Sequence, residues 1–349
     1  MRKLVGGTLL AASMLGFCVV SHAADSRATK YYEDALSRYE KKDIDGAIIQ
    51  LKNALQIEPK QVPALVLLGK ALLKNYDPIG AEVTFDEALR QGAERSEVLP
   101  LLAQAMMALG KQKEIFTQAR FTAADLPATT RSQLLLLRAT ASADVGELTD
   151  ALKYINAARA IDPHSPGSWV AEVPVRIRLR QFKEANEAVD RATAMAQNAA
   201  DTLYQKGVVL HVAGNVSAAI ASYDRAIKVD SDHLGALLAR AGLFVDLGRN
   251  ADAAKDLDEL RRLNPTEPRA AYLRALLAER ENKPTEAREA LVEITELLDR
   301  FPMDYVRYRP QVLMLNGLAH FGLNEPEKAK IYFEAFQNVQ PDAPTAKML

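Results

Sequence analysis

Seven alanines stand in one phase along this chain. Ala47 and Ala81 lie 34 residues apart, and Ala151, Ala185, Ala219, Ala253 and Ala287 repeat that interval after a two-residue slip. A second set follows seven residues behind the first: Ala54, Ala88, Ala158, Ala192 and Ala226, with Leu260 and Ile294 as larger substitutes. Four prolines, Pro59, Pro163, Pro265 and Pro341, share a third phase. Small residues seven apart lie on one face of a helix, and their recurrence marks a repeated close approach of packed elements. A unit this short cannot bury its own apolar face, so stacking on its neighbours is what makes such an array stable.

Numbering the first alanine as position 20 exposes the rest of the unit. Positions 8, 20 and 27 are small where two antiparallel helices and the next unit come closest. Positions 4, 7, 11 and 24 carry bulk. Gly110, Gly146, Gly214 and Gly248 fall at position 15, where a first helix (A) ends and the backbone can turn left-handed. Proline at position 32 stops the second helix (B) before the next unit. The expected fold is all-α, a solenoid of stacked antiparallel helix pairs. Its nine units lie near 28–61, 62–95, 96–130, 132–165, 166–199, 200–233, 234–267, 268–302 and 310–343 of an array spanning 24–349.

Composition agrees. The chain is 48% apolar but only 6% aromatic, which favours close-packed helices. Forty-four Lys and Arg balance 45 Asp and Glu, so the basic excess of a nucleic-acid binder is missing.

The pattern resembles the tetratricopeptide repeat over nearly all of Ala28 to Pro341. The best-kept unit is "LYQKGVVLHVAGNVSAAIASYDRAI", with Leu203, Gly207, Leu210, Gly214, Ala219, Tyr223 and Ala226 at signature positions. Trp169 fills position 4 of its unit. The resemblance implies a right-handed superhelix. Two units depart: one has Ile115 where the alanine belongs. The other has Asn282 and Pro284 at its turn, a helix B expected to run to Arg300, and an eight-residue insertion before the next alanine, Ala329.

No catalytic constellation emerges, and no cofactor or metal is implied. The histidines, His22, His164, His211, His233 and His320, show no metal-ligand spacing; His211 and His320 read as face or packed residues. Asp230 to His233 lacks the later glycine and glutamate of a calcium loop and reads as a turn. Arg176, Arg178, Arg180 and Lys183 form a basic cluster, read first as a solvated helix face and second as a site for an acidic partner or polysaccharide.

In the family this chain resembles, partners lie in a concave groove lined by helix A positions 2, 5, 9 and 12. Here those slots hold Tyr32, Leu36 and Tyr39, then Val66, Lys70 and Leu73, then Tyr204, Val208 and His211. Leu238 and Val245, Tyr272 and Leu276, and Met314, Leu318 and Phe321 continue the series. So apolar a lining suits an extended peptide or partner helix from another protein, with part of it serving the core. The Lys and Asn carboxylate clamp of some family co-chaperones is absent.

The chain opens as a secretion signal over residues 1–23. Arg2 and Lys3 are followed by an apolar run from Leu4 to Val20, then Ser21-His22-Ala23 with small residues where signal peptidase reads. Cleavage between Ala23 and Ala24 removes Cys18, the one cysteine. An uncleaved anchor, or lipidation at Cys18, is the alternative; Phe17 disfavours lipidation because a small residue belongs before the lipidated cysteine.

The stretches "AIIQLKNALQ" and "VLPLLAQA", the latter after "ALRQGA", also resemble the N-terminal part of the tetratricopeptide-repeat lipoproteins of bacterial PEP-CTERM/exosortase systems. That resemblance implies a non-catalytic scaffold in the periplasm or outer envelope of a Gram-negative bacterium, binding other envelope proteins of an exopolysaccharide or protein-sorting system. The second reading is a component that contacts the exported polysaccharide itself. "PDAPTAKML" reads as the start of a further helix A, leaving helix B of the last unit, with Tyr332, Phe333, Phe336 and Val339, to dock onto something or onto further repeats.

Overall fold

The computed structural model describes residues 15–122, 124–301, 303–306 and 309–339, with side chains from Arg27 onward except 304 and 305. The leader residues 1–14 and the closing "PDAPTAKML" lie outside that set, as do the side chains of Cys18, Ala23 and Ala24. The described residues are helical, with no strand. Helices A and B alternate as α1 (Leu15–Glu40), α2 (Ile44–Ile57), α3 (Val62–Lys74), α4 (Pro78–Arg90), α5 (Arg95–Ala108) and α6 (Gln112–Thr117). After a 3-10 turn (Ala119–Thr122) come α7 (Ala128–Asp144), α8 (Leu148–Ile161), α9 (Gly167–Arg178), α10 (Phe182–Met195), α11 (Ala200–Val212) and α12 (Val216–Val229). Then follow α13 (Leu234–Asp246), α14 (Asn250–Leu263), α15 (Pro268–Arg280), α16 (Pro284–Leu298), a short α17 (Met303–Val306), α18 (Pro310–Gly322) and α19 (Pro326–Val339).

Every A-to-B turn is built alike. Position 15 is left-handed in all nine: at Gly110, Gly146, Gly214 and Gly248, and also at Lys42, Tyr76, Arg180, Asn282 and Asn324. The next N–H donates to the carbonyl five residues back, as in Asn215 to Leu210 (2.9 Å), Asp43 to Arg38 (2.9 Å) and Glu325 to His320 (2.9 Å). This closure satisfies helix A's last carbonyls and reverses the chain within three residues, so A and B must run antiparallel.

Packing within a pair follows a size rule. Where position 8 is glycine, position 24 is aromatic. An added Cβ would lie 2.4 Å from the Phe85 ring at Gly69, 2.4 Å from Tyr223 at Gly207 and 2.5 Å from Phe333 at Gly317. Where position 8 is alanine, position 24 is a branched aliphatic in every repeat but the third, whose Ala103 is matched only by Ala119: Ala139 shares a core cluster with Ile155, Ala241 with Leu257, and Ala275 with Leu291. Val173 faces Val189. The alanines at positions 20 and 27 are buried throughout.

The chain divides into two compact units, 1–111 with 119–130, and 112–118 with 131–349, the boundary falling inside the third repeat. Helix B there is only the six-residue α6. Position 24 falls on exposed Ala119, and Ile115, Phe116 and Phe121 would point in three different directions on one continuous helix, so extending α6 would not gather them on one face. Within the second unit, Phe116 stacks on Tyr154 (6.1 Å) and Arg138 donates to the Phe116 carbonyl (3.3 Å). Within the first, Arg120 pairs with Asp86 (2.6 Å) and Phe121 is buried.

α16 ends at Leu298, two residues short of the expected Arg300. The inserted segment forms α17, whose Val306 packs with Leu313 and Phe336 while Met303 and Tyr332 flank them. The aromatic face of α19, expected to lie bare, is thus partly covered: Phe336 is buried, Tyr332 and Phe333 are half-buried, and Val339 is exposed.

Gly207→Ala is expected to cost about 2–3 kcal/mol, because Tyr223 is fully buried and cannot retreat. Adding Tyr223→Leu, which restores the alanine–aliphatic pairing, should return most of that loss; simple additivity in denaturant titrations would refute the size rule. Arg180→Gly, at an exposed strained turn, should instead stabilise by about 0.5–1 kcal/mol in the same assay.

Candidate partner-binding face

The helix A residues expected to form a groove are carried by α1, α3, α11, α13, α15 and α18. Tyr32, Tyr39, Leu73, Tyr204, Val208, Leu238, Tyr272, Leu276, Met314 and Leu318 are half-buried, each with one side on the core and one open. Leu36, His211 and Phe321 are exposed. Val66 and Val245 are buried; Val245 packs on Phe244 and Ala253 and is a core residue. They do not converge on one pocket. Each rests on its own cluster: Tyr204 and Val208 against Tyr223 and Ala236, Leu238 against Leu257, Leu276 against Phe244, and Tyr272 against Leu291. The result is one row per unit, a track rather than a cavity.

In the first unit the track carries cations. Lys70 Nζ donates to Glu97 at 2.6 Å, and Lys74 Nζ lies 4.6 Å over the Tyr39 ring.

In the second unit it centres on Tyr204. Gly235 lies so near that an added Cβ would stand 3.1 Å from the Tyr204 ring. The His233 ring packs against that tyrosine at 5.0 Å. His233 Nδ1 accepts from the Ala236 N–H (3.0 Å) at the start of α13, and its Nε2 meets Asp201 Oδ1 at 3.1 Å. A proton on Nε2 satisfies both contacts. The hydrogen bond to Asp201 holds the His233 imidazole above its ordinary range, with burial opposing. Burial pushes the Tyr204 phenol up, against the pull of the Arg269 charge, and pushes Tyr272 up as well.

Asp144, at the end of α7, is exposed, yet desolvation pushes its carboxyl up against Gln112 (3.4 Å), Arg309 and Arg178.

The basic cluster disperses. Arg176 bonds Glu172 (2.7 Å) and Gln181 (2.6 Å), Arg178 donates to the Ala143 carbonyl, Arg180 is a turn residue, and Lys183 faces Glu187 at 3.9 Å. Asp230 to His233 is a turn, with the Asp232 N–H on Asp230 Oδ1 at 3.2 Å. Among the described residues no group of three His, Cys, Asp or Glu is arranged for a metal, and no helix is long and apolar enough to cross a membrane.

Sequence reasoning missed an apolar cavity of about 360 Å³ beside Ile177, Phe182, Val209 and Val212, where Phe182 and Val212 are 51% and 47% exposed. Phe182 is the one aromatic residue that opens a helix B among the described repeats.

Family profiles described as tetratricopeptide repeat match residues 38–105, 170–233 and 238–302, more than half of the chain in all. The chain is a tetratricopeptide-repeat protein. It is 22% identical to Protein NPGR2 of Arabidopsis thaliana over 224 residues, 63% of this chain but only 28% of that protein's length. Among solved structures it is similar to PilW, a type IV pilus biogenesis factor, at 17% identity over 62% of this chain and 97% of PilW, with a TM-score of 0.45. A tetratricopeptide repeat protein from Parabacteroides merdae is 16% identical over 82% of this chain and 96% of its own, with a TM-score of 0.45. Tetratricopeptide repeats are interaction scaffolds that bind protein partners and are generally non-catalytic.

In this tetratricopeptide array Asp201→Asn should make His233 titrate at lower pH than in the wild type, read by NMR of the imidazole protons. An unchanged titration would mean the Asp201 contact does not form in solution.

Proposed function

We propose that this protein is a non-catalytic scaffold of the bacterial cell envelope that holds other envelope proteins along the helix A track of its repeats. The system it serves on this reading is an exopolysaccharide-linked, PEP-CTERM/exosortase sorting or export apparatus. The observation that carries the scaffold reading is the row of half-buried residues Tyr204, Val208, Leu238, Tyr272 and Leu276, which offers apolar area on rigid helices. Such a row, with tyrosine hydroxyls at intervals, suits an extended peptide or an amphipathic helix better than a small molecule. Support for the compartment comes from the leader, with its basic start, apolar run and Ser21-His22-Ala23. Support for the system comes from the "AIIQLKNALQ" and "VLPLLAQA" stretches.

Photo-crosslinking residues placed at Tyr204 and Tyr272 should capture envelope proteins in cells, whereas one at exposed Glu187 on α10 should not. Equal capture at all three sites would refute the track as the binding surface. The periplasmic fraction should hold a chain starting at Ala24; a cytoplasmic chain retaining residues 1–23 would refute the envelope assignment. Retention of exported polysaccharide by the isolated protein, without protein capture, would favour the polymer-contacting reading.

A further inference from the structure

His320 on α18 is 1% exposed, yet both of its ring nitrogens meet carboxylates. Nδ1 lies 2.7 Å from Glu325 Oε2, in the turn before α19, and Nε2 lies 3.2 Å from Asp299 Oδ1, at the end of α16. The Tyr332 ring of α19 stacks on the imidazole at 5.5 Å and 6°. The same Asp299 oxygen accepts from Asn316 Nδ2 (2.8 Å) and from the Tyr332 hydroxyl (2.9 Å). Lys328 stands behind Glu325 at 3.2 Å. Among the described residues these are the charged and titratable groups facing the ring: Asp299 from α16, Glu325 from the turn, and Tyr332 and Lys328 from α19.

An ionised carboxylate only accepts hydrogen bonds, and a neutral imidazole has a single N–H to donate. Bonding to both carboxylates therefore requires two N–H groups, which is the imidazolium. When one proton leaves to solvent, a lone pair on a ring that is itself shut off from water is left facing the oxygen of a partly exposed carboxylate, and that ring nitrogen loses its hydrogen-bond partner.

We propose that protonated His320 is a pH-sensitive latch that fastens the last helix pair, α18 and α19, to the end of α16. The latch holds while the ring carries its second proton and opens as pH rises and that proton is lost. Its acid limit is set by the two carboxylates. Burial opposes ionisation of Asp299, but Asn316, Tyr332 and His320 donate to it and hold it below the usual carboxylate range. Hydrogen bonds from His320 and Lys328 hold Glu325 low as well. Both thus stay ionised through mild acid. Phe321, exposed on the helix A track, follows His320 directly, so opening the latch moves the far end of that track. The inference rests on the Asp299–His320–Glu325 geometry and holds whether or not the track binds envelope proteins.

The test is hydrogen exchange followed by mass spectrometry on the full chain. Protection of residues 310–339 is expressed relative to α11 and α12 in the same molecule, which removes the intrinsic pH dependence of exchange. In the wild type this ratio should fall at least about tenfold between mildly acidic and mildly alkaline buffer, as the second ring proton is lost. His320→Gln, which cannot hold two protonated ring donors, should show low protection at both ends. Glu325→Gln changes a half-buried residue whose amide serves either ring state, and should keep protection at both ends. A wild-type ratio that does not change with pH overturns the latch, as does an unchanged pH dependence in both variants.

Discussion

Everything in this array hangs on how closely helix A and helix B of one repeat can approach. That distance is set where position 8 of A meets position 24 of B. With glycine at position 8, an aromatic ring lies directly on the helix backbone, as Tyr223 does on Gly207 and Phe85 on Gly69. With alanine there, the ring gives way to Leu or Ile. Both solutions fill nearly the same space, so repeats of different sequence keep the same thickness and can stack on one another. The buried alanines at positions 20 and 27 extend the same requirement to the adjoining helices.

Close packing needs the chain to reverse in three residues, which it does through a left-handed residue at position 15. Glycine makes that conformation legible at Gly110, Gly146, Gly214 and Gly248. It is not legible at Lys42, Tyr76 or Arg180, which adopt the same backbone at a steric cost of about 1–2 kcal/mol each. Those turns persist because packing on either side fixes where the two helices lie, and the i to i−5 hydrogen bond closes only in this geometry. Tertiary context overrides local preference there, and no pattern in the sequence announces it.

The periodicity therefore carried the fold: a small residue every 34 positions reports a contact that recurs through the whole array. It carried less where the contact is absent. Ile115 marked the third repeat as irregular, but the six-residue α6 follows from what is missing at position 24, an empty slot on Ala119. The eight-residue insertion was visible as a broken interval, though not its use as a cover over Phe336. For the expected binding face, helix A positions did not separate half-buried Tyr204 and Tyr272 from buried Val66 and Val245. That difference depends on how each neighbouring repeat is seated.

Polar groups buried at the junctions bear on the order of stacking. The apolar faces of these repeats are built from the same alanines and leucines, and by themselves would accept one another in several registers. Glu172 is buried between Arg159 of the preceding helix B (2.5 Å) and Arg176 of its own helix (2.7 Å), with Arg159 lying 3.5 Å over Trp169. Two junctions further along, Arg240 holds Asp256 through two bonds (2.9 and 2.6 Å) and reaches back to Asp224 at 2.6 Å. Asp299 and His320 occupy a third junction. An unpaired charge in any of these places would cost several kcal/mol, far more than the net gain from making the pair. A repeat seated beside the wrong neighbour leaves such a charge unmatched. The ion pairs thus add little to the depth of the native state and much to the gap that separates it from misaligned stacks.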